Sequence, residues 1–259
     1  MAEEAAGEMM EHAAEHAAAH GPMEQFEIRR LIPIDIGGTD LSFTNSSLFM
    51  MFAVLLTALL FWAATRQRTM VPGRLQASAE LLYEFVAGMV KDNTGPEGMK
   101  YFPFVFTLFM FILLGNLLGL LPYGFTFTSH IVVTAAMAVF VFLGVTLIGF
   151  ARHGLHFFSL FVPPGAPLGI AIILAPLELF SYLIRPVSLS LRLFANMLAG
   201  HVLLKVLAGF IITLGVVFGA VPFVAVFGIT LLEILVAMIQ AYVFALLTCL
   251  YLNDAIHLH

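Results

Sequence analysis

The sequence predicts an all-α integral membrane protein. It has five transmembrane helices plus an amphipathic helix on the membrane surface, and the last two spans form a long tilted hairpin. Three observations predict this. Of 259 residues, 61% are hydrophobic and only 10% are charged, against about a quarter charged in soluble domains. The mean hydropathy is +1.01. From Tyr101 to Phe150 there is no Asp, Glu, Lys or Arg, and that tract is too long for one crossing of about 20 residues.

Residues 1–45 read as an external, partly disordered tail, and residues 46–259 as the membrane domain. The first 28 residues hold seven glutamates and neither Lys nor Arg. That composition fits neither a secretory signal, which starts basic, nor an Arg-rich transit peptide. His12, His16 and His20 recur every four residues, on one helix face. They could hold a metal such as zinc or nickel, or belong to a solvated tail. The first span is expected at 48–64, where Trp62 followed by Arg66 and Arg68 marks a cytoplasmic exit. In 74–98, Leu75, Leu82, Val86 and Met89 share one face while Glu80, Glu84 and Lys91 lie on another. Such a helix lies along the membrane surface, and Gly95 and Pro96 end it.

Pro122 and Gly124 break the uncharged tract into spans at 102–121 and 131–150. A loop through Arg152 follows, then apolar segments at 167–214 and 222–253, separated by Gly215, Gly219 and Pro222. Arg66, Arg68, Arg74, Lys91, Lys100 and Arg152 fall on one side of this arrangement. The loops at 122–130 and 215–221 carry no Lys or Arg. The positive-inside rule then puts the N-terminus outside and the C-terminus in the cytoplasm, although Arg29 and Arg30 dissent mildly. The single cysteine, Cys249, excludes an internal disulfide.

Ionisable groups inside spans are costly and face protein or water. Glu178, Arg185 and Arg192 are seven apart, nearly two helical turns, so they share a stripe with Asn196. Glu233 and Gln240 form a second stripe on the last helix. In an antiparallel hairpin, residues equally far from the turn lie at equal depth. Arg192 with Gln240, and His201 with Glu233, satisfy this to within a few residues. Arg192 lies about 35 Å along the helix from the turn, so the helix must tilt strongly. His201 is nine residues from Arg192 and points to the opposite side, with Lys205 on its face. One side is therefore expected to face a watery path and the other a partner. Glu178 with Arg185 could be a structural ion pair, and His201 with Glu233 a polar contact between helices. Ser188 and Ser190 would let helices approach closely.

The strings "PVSLSLRLFANMLAGH" (186–201), "IQAYVFALLTCLYL" (239–252) and "LGNLLGLLPY" (114–123) resemble the a subunit of F-type ATP synthases. The resemblance covers about residues 100–255 and is most specific in the last 80. It implies a stator subunit that catalyses no reaction itself and needs no cofactor. Its implied partners are a c-subunit ring, the b/b′ peripheral stalk and the lipid of a bacterial inner membrane. Arg192 would face the ring carboxylate and separate two aqueous half-channels. His201 and Glu233 would line the entry half, Glu178 the exit, Gln240 would hydrogen-bond Arg192, and Asn196 would add a polar group nearby. Many bacterial members carry the acid and histidine at these two positions exchanged; here the order is that of mitochondrial members. Some members have an acid at the position of Gly119. An anion transporter would need inverted repeats, a membrane enzyme a nucleophile or an HExxH-type metal set, and a nucleotide-binding protein a Walker motif. None is present in the sequence. A purely structural subunit would leave the matched polar register unexplained.

Overall fold

A computed structural model describes residues 27–33, 35–36, 39–40, 42–66, 72–121, 124–154, 156–157, 168–214 and 219–257. The His12, His16 and His20 face, Arg68, Pro122 and Gly215 lie outside them. Two short antiparallel pairs open the described chain. β1 (Arg30–Ile32) pairs with β4 (Phe43–Thr44), and β2 (Asp35–Ile36) with β3 (Thr39–Asp40).

Helix α1 (Asn45–Arg66) begins where the Thr44 hydroxyl accepts the Ser47 amide at 3.3 Å. That side chain satisfies one of the amides a helix start leaves bare. At the far end the Arg66 guanidinium lies 5.1 Å over the Trp62 ring. Helix α2 (Arg74–Gly98) is regular up to Gly95, whose φ of 68° only glycine adopts freely. Pro96 then starts a final turn. Val86 and Met89 are buried and Leu82 partly so, with Glu80, Glu84 and Lys91 exposed. Leu75 departs from the expected face: at 62% exposed it precedes the part of α2 that packs on its neighbours.

Helix α3 (Phe102–Gly119) follows a 3₁₀ turn at Met99–Tyr101. It is apolar all round, as a central helix must be. The core runs from Val86 and Val90 of α2 through Val105, Phe109 and Ile112 of α3. It continues into α4 (Ile131–His153), α5 (Leu168–Thr213) and α6 (Ala220–Ile256). Ala237, Ala241 and Ala245 of α6 are all fully buried; four residues apart, they form a shallow stripe that lets backbones approach.

Five helical stretches are long and apolar enough to cross a membrane: α1, α2 with α3, α4, α5 and α6. The ends of α1, α3, α4, α5 and α6 fall within three residues of the expected spans, while α2, expected as a surface helix, runs on into α3. The 46 residues of α5 and 37 of α6 extend about 69 and 55 Å, well beyond a hydrocarbon layer of about 30 Å. The two run antiparallel, since His201 meets Glu233 near one end and Arg185 meets Asp254 near the other.

The stretch between α3 and α4, expected only as an external turn, folds inward. Phe125, Thr126, Phe127, Thr128 and Ser129 are all buried. Phe127 packs 5.1 Å from Phe111 and lies over Gly115, where an added Cβ would meet its ring at 2.3 Å. Gly115→Leu should therefore expel Phe127 and cost at least about 1–3 kcal/mol. Immunoblotting of membranes should show little of the variant chain in the assembled complex.

Candidate functional site

The site is built where α5 and α6 cross the inward-folded loop. His201 and Glu233 are 5% and 3% exposed, and His201 Nδ1 is in ion-pair contact with Glu233 Oε1. The two atoms meet by proximity; they are not aligned as a hydrogen bond. Gly200 makes the room, because a Cβ there would stand 2.6 Å from Oε1. Glu233 Oε2 is buried with no hydrogen-bond partner among the described residues. A carboxyl so desolvated is costly when charged unless a cation or donor answers it.

On the other edge of the imidazole, His201 Nε2 lies 2.6 Å from Thr126 Oγ1 and 3.1 Å from the Gly119 carbonyl oxygen. Thr126 occupies the space a side chain at 119 would take, since a Cβ there would lie 2.1 Å from its Oγ1. The polar chain continues beyond it. Ser129 Oγ donates to the Thr126 carbonyl at 2.6 Å, and Thr128 Oγ1 donates to Asn116 Oδ1 at 2.8 Å. Asn116 Nδ2 donates to the Ala237 carbonyl at 3.4 Å. Thr134 Oγ1 of α4 meets Ser190 Oγ of α5 at 3.2 Å. At the mouth of this loop His130 stacks on Phe125 with centroids 5.1 Å apart. Burial lowers its pKa, so it is neutral at neutral pH.

Arg192 stands apart from that cluster. It is exposed, and no ion pair or hydrogen bond engages it among the described residues. Ser188, Ala195 and Ala199, at helical spacing around it, are also exposed. A single cation thus sits on a face of small side chains. Arg192 and His201 serve different surfaces, the first outward and the second inward. Asn196 is half-buried and Gln240 buried. No hydrogen bond from Gln240 to Arg192 is present among the described residues, Arg192 being exposed and Gln240 buried.

Arg185 does not pair with Glu178. Its Nη1 donates to Asp254 Oδ2 at 2.7 Å, and its guanidinium lies 5.5 Å from the Tyr182 ring and 5.2 Å from that of Tyr251. Positions seven apart are about 10.5 Å apart along a helix axis, beyond the reach of neighbours three or four apart. Asp254 on the facing helix is nearer. Glu178 is half-buried and makes no ion pair among the described residues.

The family described as ATP synthase A chain matches residues 47–253. The chain is 63% identical over 240 residues to "ATP synthase subunit a" of Rhodospirillum rubrum, covering 93% of this chain and 100% of that one. It is 55% identical over 244 residues to the protein of that name in Paramagnetospirillum magneticum, covering 92% and 99%. Against that of Mesorhizobium japonicum it is 54% identical over 242 residues, covering 91% and 96%.

The chain belongs to the ATP synthase subunit a family. It is accordingly a multi-pass membrane component of the ATP synthase complex. Sequence reasoning brought His201 and Glu233 of this subunit a together, but missed Thr126, Thr128, Asn116 and Asp254. Asp254 was within reach, because the equal-distance rule for the hairpin sets it nearly opposite Arg185. The "FTFTS" run at 125–129 carried a weaker signal: alternating polar residues in a loop without charge.

Proposed function

We propose that the chain is the non-catalytic stator subunit that carries protons to and from the ring of c subunits, coupling proton flow to rotation and ATP synthesis. The observation that carries this reading is the His201–Glu233 pair, buried in the membrane-spanning hairpin and joined to polar residues of the α3–α4 loop. An imidazole and a carboxyl are both groups that can pass a proton, and here they are buried in contact with each other. In this reading they line an entry half-channel from the external side, and Glu178 stands on the exit side.

Arg192, exposed among small residues, faces the ring. A fixed cation beside a passing carboxylate keeps it ionised, and Arg holds its proton where Lys could lose it. Gln240 and Asn196 supply polar neighbours at the same junction. The peripheral b/b′ stalk holds the subunit still. Residues 1–45 form the external tail and 46–259 the membrane domain, in a bacterial inner membrane with the C-terminus cytoplasmic.

The experiment is ATP-driven proton pumping in inverted membrane vesicles carrying the whole complex with Glu233→Gln. Pumping should fall at least about 100-fold, the scale of a lost proton-transfer group, at normal assembly. Unchanged pumping at normal assembly would overturn the reading.

A further inference from the structure

We infer that the stretch Ile28–Ile32, beside the first turn of α1, is a lipid-binding anchor: Arg29 and Arg30 take the phosphates of anionic headgroups, and Ile28, Leu31 and Ile32 rest against the upper acyl chains. The inference goes beyond the proposed function and does not depend on it.

The depth of this stretch follows from α1. That helix runs 22 residues from Asn45 to Arg66, about 33 Å at its rise per residue, and a hydrocarbon layer is about 30 Å thick. Trp62, with the Arg66 guanidinium over its ring, marks one interface. Asn45 therefore stands at the other, and any tilt of the helix brings it deeper rather than farther out. Strand β1 is tied to that level. The Asn45 amide donates to the Arg29 carbonyl at 3.1 Å, the Arg29 amide to Asn45 Oδ1 at 3.3 Å, and Asn45 Nδ2 to the Glu27 carbonyl at 3.0 Å. Arg30 is also in register with Thr44, the residue before the helix. Phe49, one turn into α1, packs 6.1 Å from Phe125 of the loop between α3 and α4, which fixes the two at the same membrane surface.

The side chains suit that level. Ile28, Leu31 and Ile32 are each more than half exposed, as are Met51, Phe52 and Leu55 on α1. A bulge at Leu31 interrupts the alternation of β1 against β4, and two adjacent aliphatic side chains are left uncovered. In water such a cluster gains nothing, whereas at the boundary of headgroups and acyl chains its burial is favourable. An arginine there lays its stem on apolar surface and keeps its charge at the polar level, where the guanidinium fork matches a phosphate. Glu27 lies 3.8 Å from Arg29, both side chains staying about two-thirds exposed, so the stretch sets one acid against two guanidiniums. The other loops at this surface, 122–130 and 215–221, carry no Lys or Arg. The first turn of α1, residues 45–48, has no Trp, Tyr, Lys or Arg either. Ile28–Ile32 thus supplies the anchor that Trp62 and Arg66 supply at the opposite end.

The test uses the whole complex in vesicles of equal parts phosphatidylglycerol and phosphatidylcholine. Ile32→Trp places a fluorophore in the stretch, and subtracting the parent's emission isolates it. Brominated phosphatidylglycerol should quench most of that emission, and aqueous acrylamide little of it. With Arg29→Gln and Arg30→Gln added, the preference for brominated phosphatidylglycerol over brominated phosphatidylcholine should fall at least about fivefold, the scale of one basic side chain at an anionic surface. Quenching by acrylamide and not by lipid would overturn the inference by leaving the stretch in water. Quenching by neither would overturn it by covering the stretch with another protein. An unchanged lipid preference after loss of both arginines would overturn it as well. Should Ile32→Trp fail to assemble, Ile28→Trp carries the same measurement with the same outcomes. None of these signals involves proton pumping, so a failure here and a failure of the proposed function are told apart.

Discussion

With Arg192→Ala in the assembled complex, ATP addition should produce no proton pumping, and a proton gradient imposed on the vesicles should collapse through the membrane sector. On the proposed reading the loss of pumping exceeds about 100-fold, because the barrier between two half-channels and the counter-charge to a ring carboxylate would go together. Arg192 makes no hydrogen bond or ion pair among the described residues, so its removal breaks neither and should leave assembly intact. That separates a functional loss from a folding defect. Arg192→Lys should restore little, since an ammonium can shed its proton in a desolvated setting where guanidinium does not. Normal pumping without leak by the alanine variant would remove the half-channel account.

Much of this architecture is legible in the sequence, for physical reasons that particular elements show. Hydrocarbon thickness sets the length of a single crossing, which fits the 22 and 23 residues of α1 and α4, while the limits of α5 and α6 follow from where helix breakers stand. Equal depth in a hairpin follows from a constant rise per residue, which is why His201 and Glu233 could be matched without coordinates. The same reasoning reaches Arg185 and Asp254. Attention to one face of one helix picked Glu178 instead, a choice that ignores how short an ion pair is. The loop at 124–130 was not legible. Its hydroxyls bond to partners as far as 75 residues away, and an uncharged loop looks the same whether it faces water or folds inward. Leu75 likewise keeps the helical spacing of the packed face of α2 but lies beyond the neighbours that bury the rest.

Asp254→Leu should lower the thermal stability of the purified complex in detergent. The Arg185 side chain is 24% exposed and that of Asp254 35%. Breaking a fully buried pair costs about 3–5 kcal/mol, and a pair this accessible to solvent should cost less, about 1–3 kcal/mol. The loss is not only electrostatic. Arg185 is sandwiched by Tyr182 and Tyr251, and Tyr182 reaches Thr146 of α4 at 2.7 Å, so an unpaired guanidinium disturbs three helices. Arg185→Lys should fare poorly for the same reason, because an ammonium stacks less well than a flat guanidinium. A melting temperature in either variant equal to the parent's would show that the pair contributes nothing to stability.

The hairpin is pinned twice. The His201–Glu233 and Arg185–Asp254 contacts lie 16 residues apart on α5, about 24 Å along its axis. A single pin would let one helix pivot on the other. Two pins make the pair behave as a riveted beam, stiff against both shear and rotation in its own plane. Sliding α6 past α5 by one helical turn, about 5.4 Å, would have to tear both rivets at once. On the proposed function, stepwise motion in the assembled complex is supplied by side chains and by whatever moves against this beam, while the beam itself takes up the reaction force.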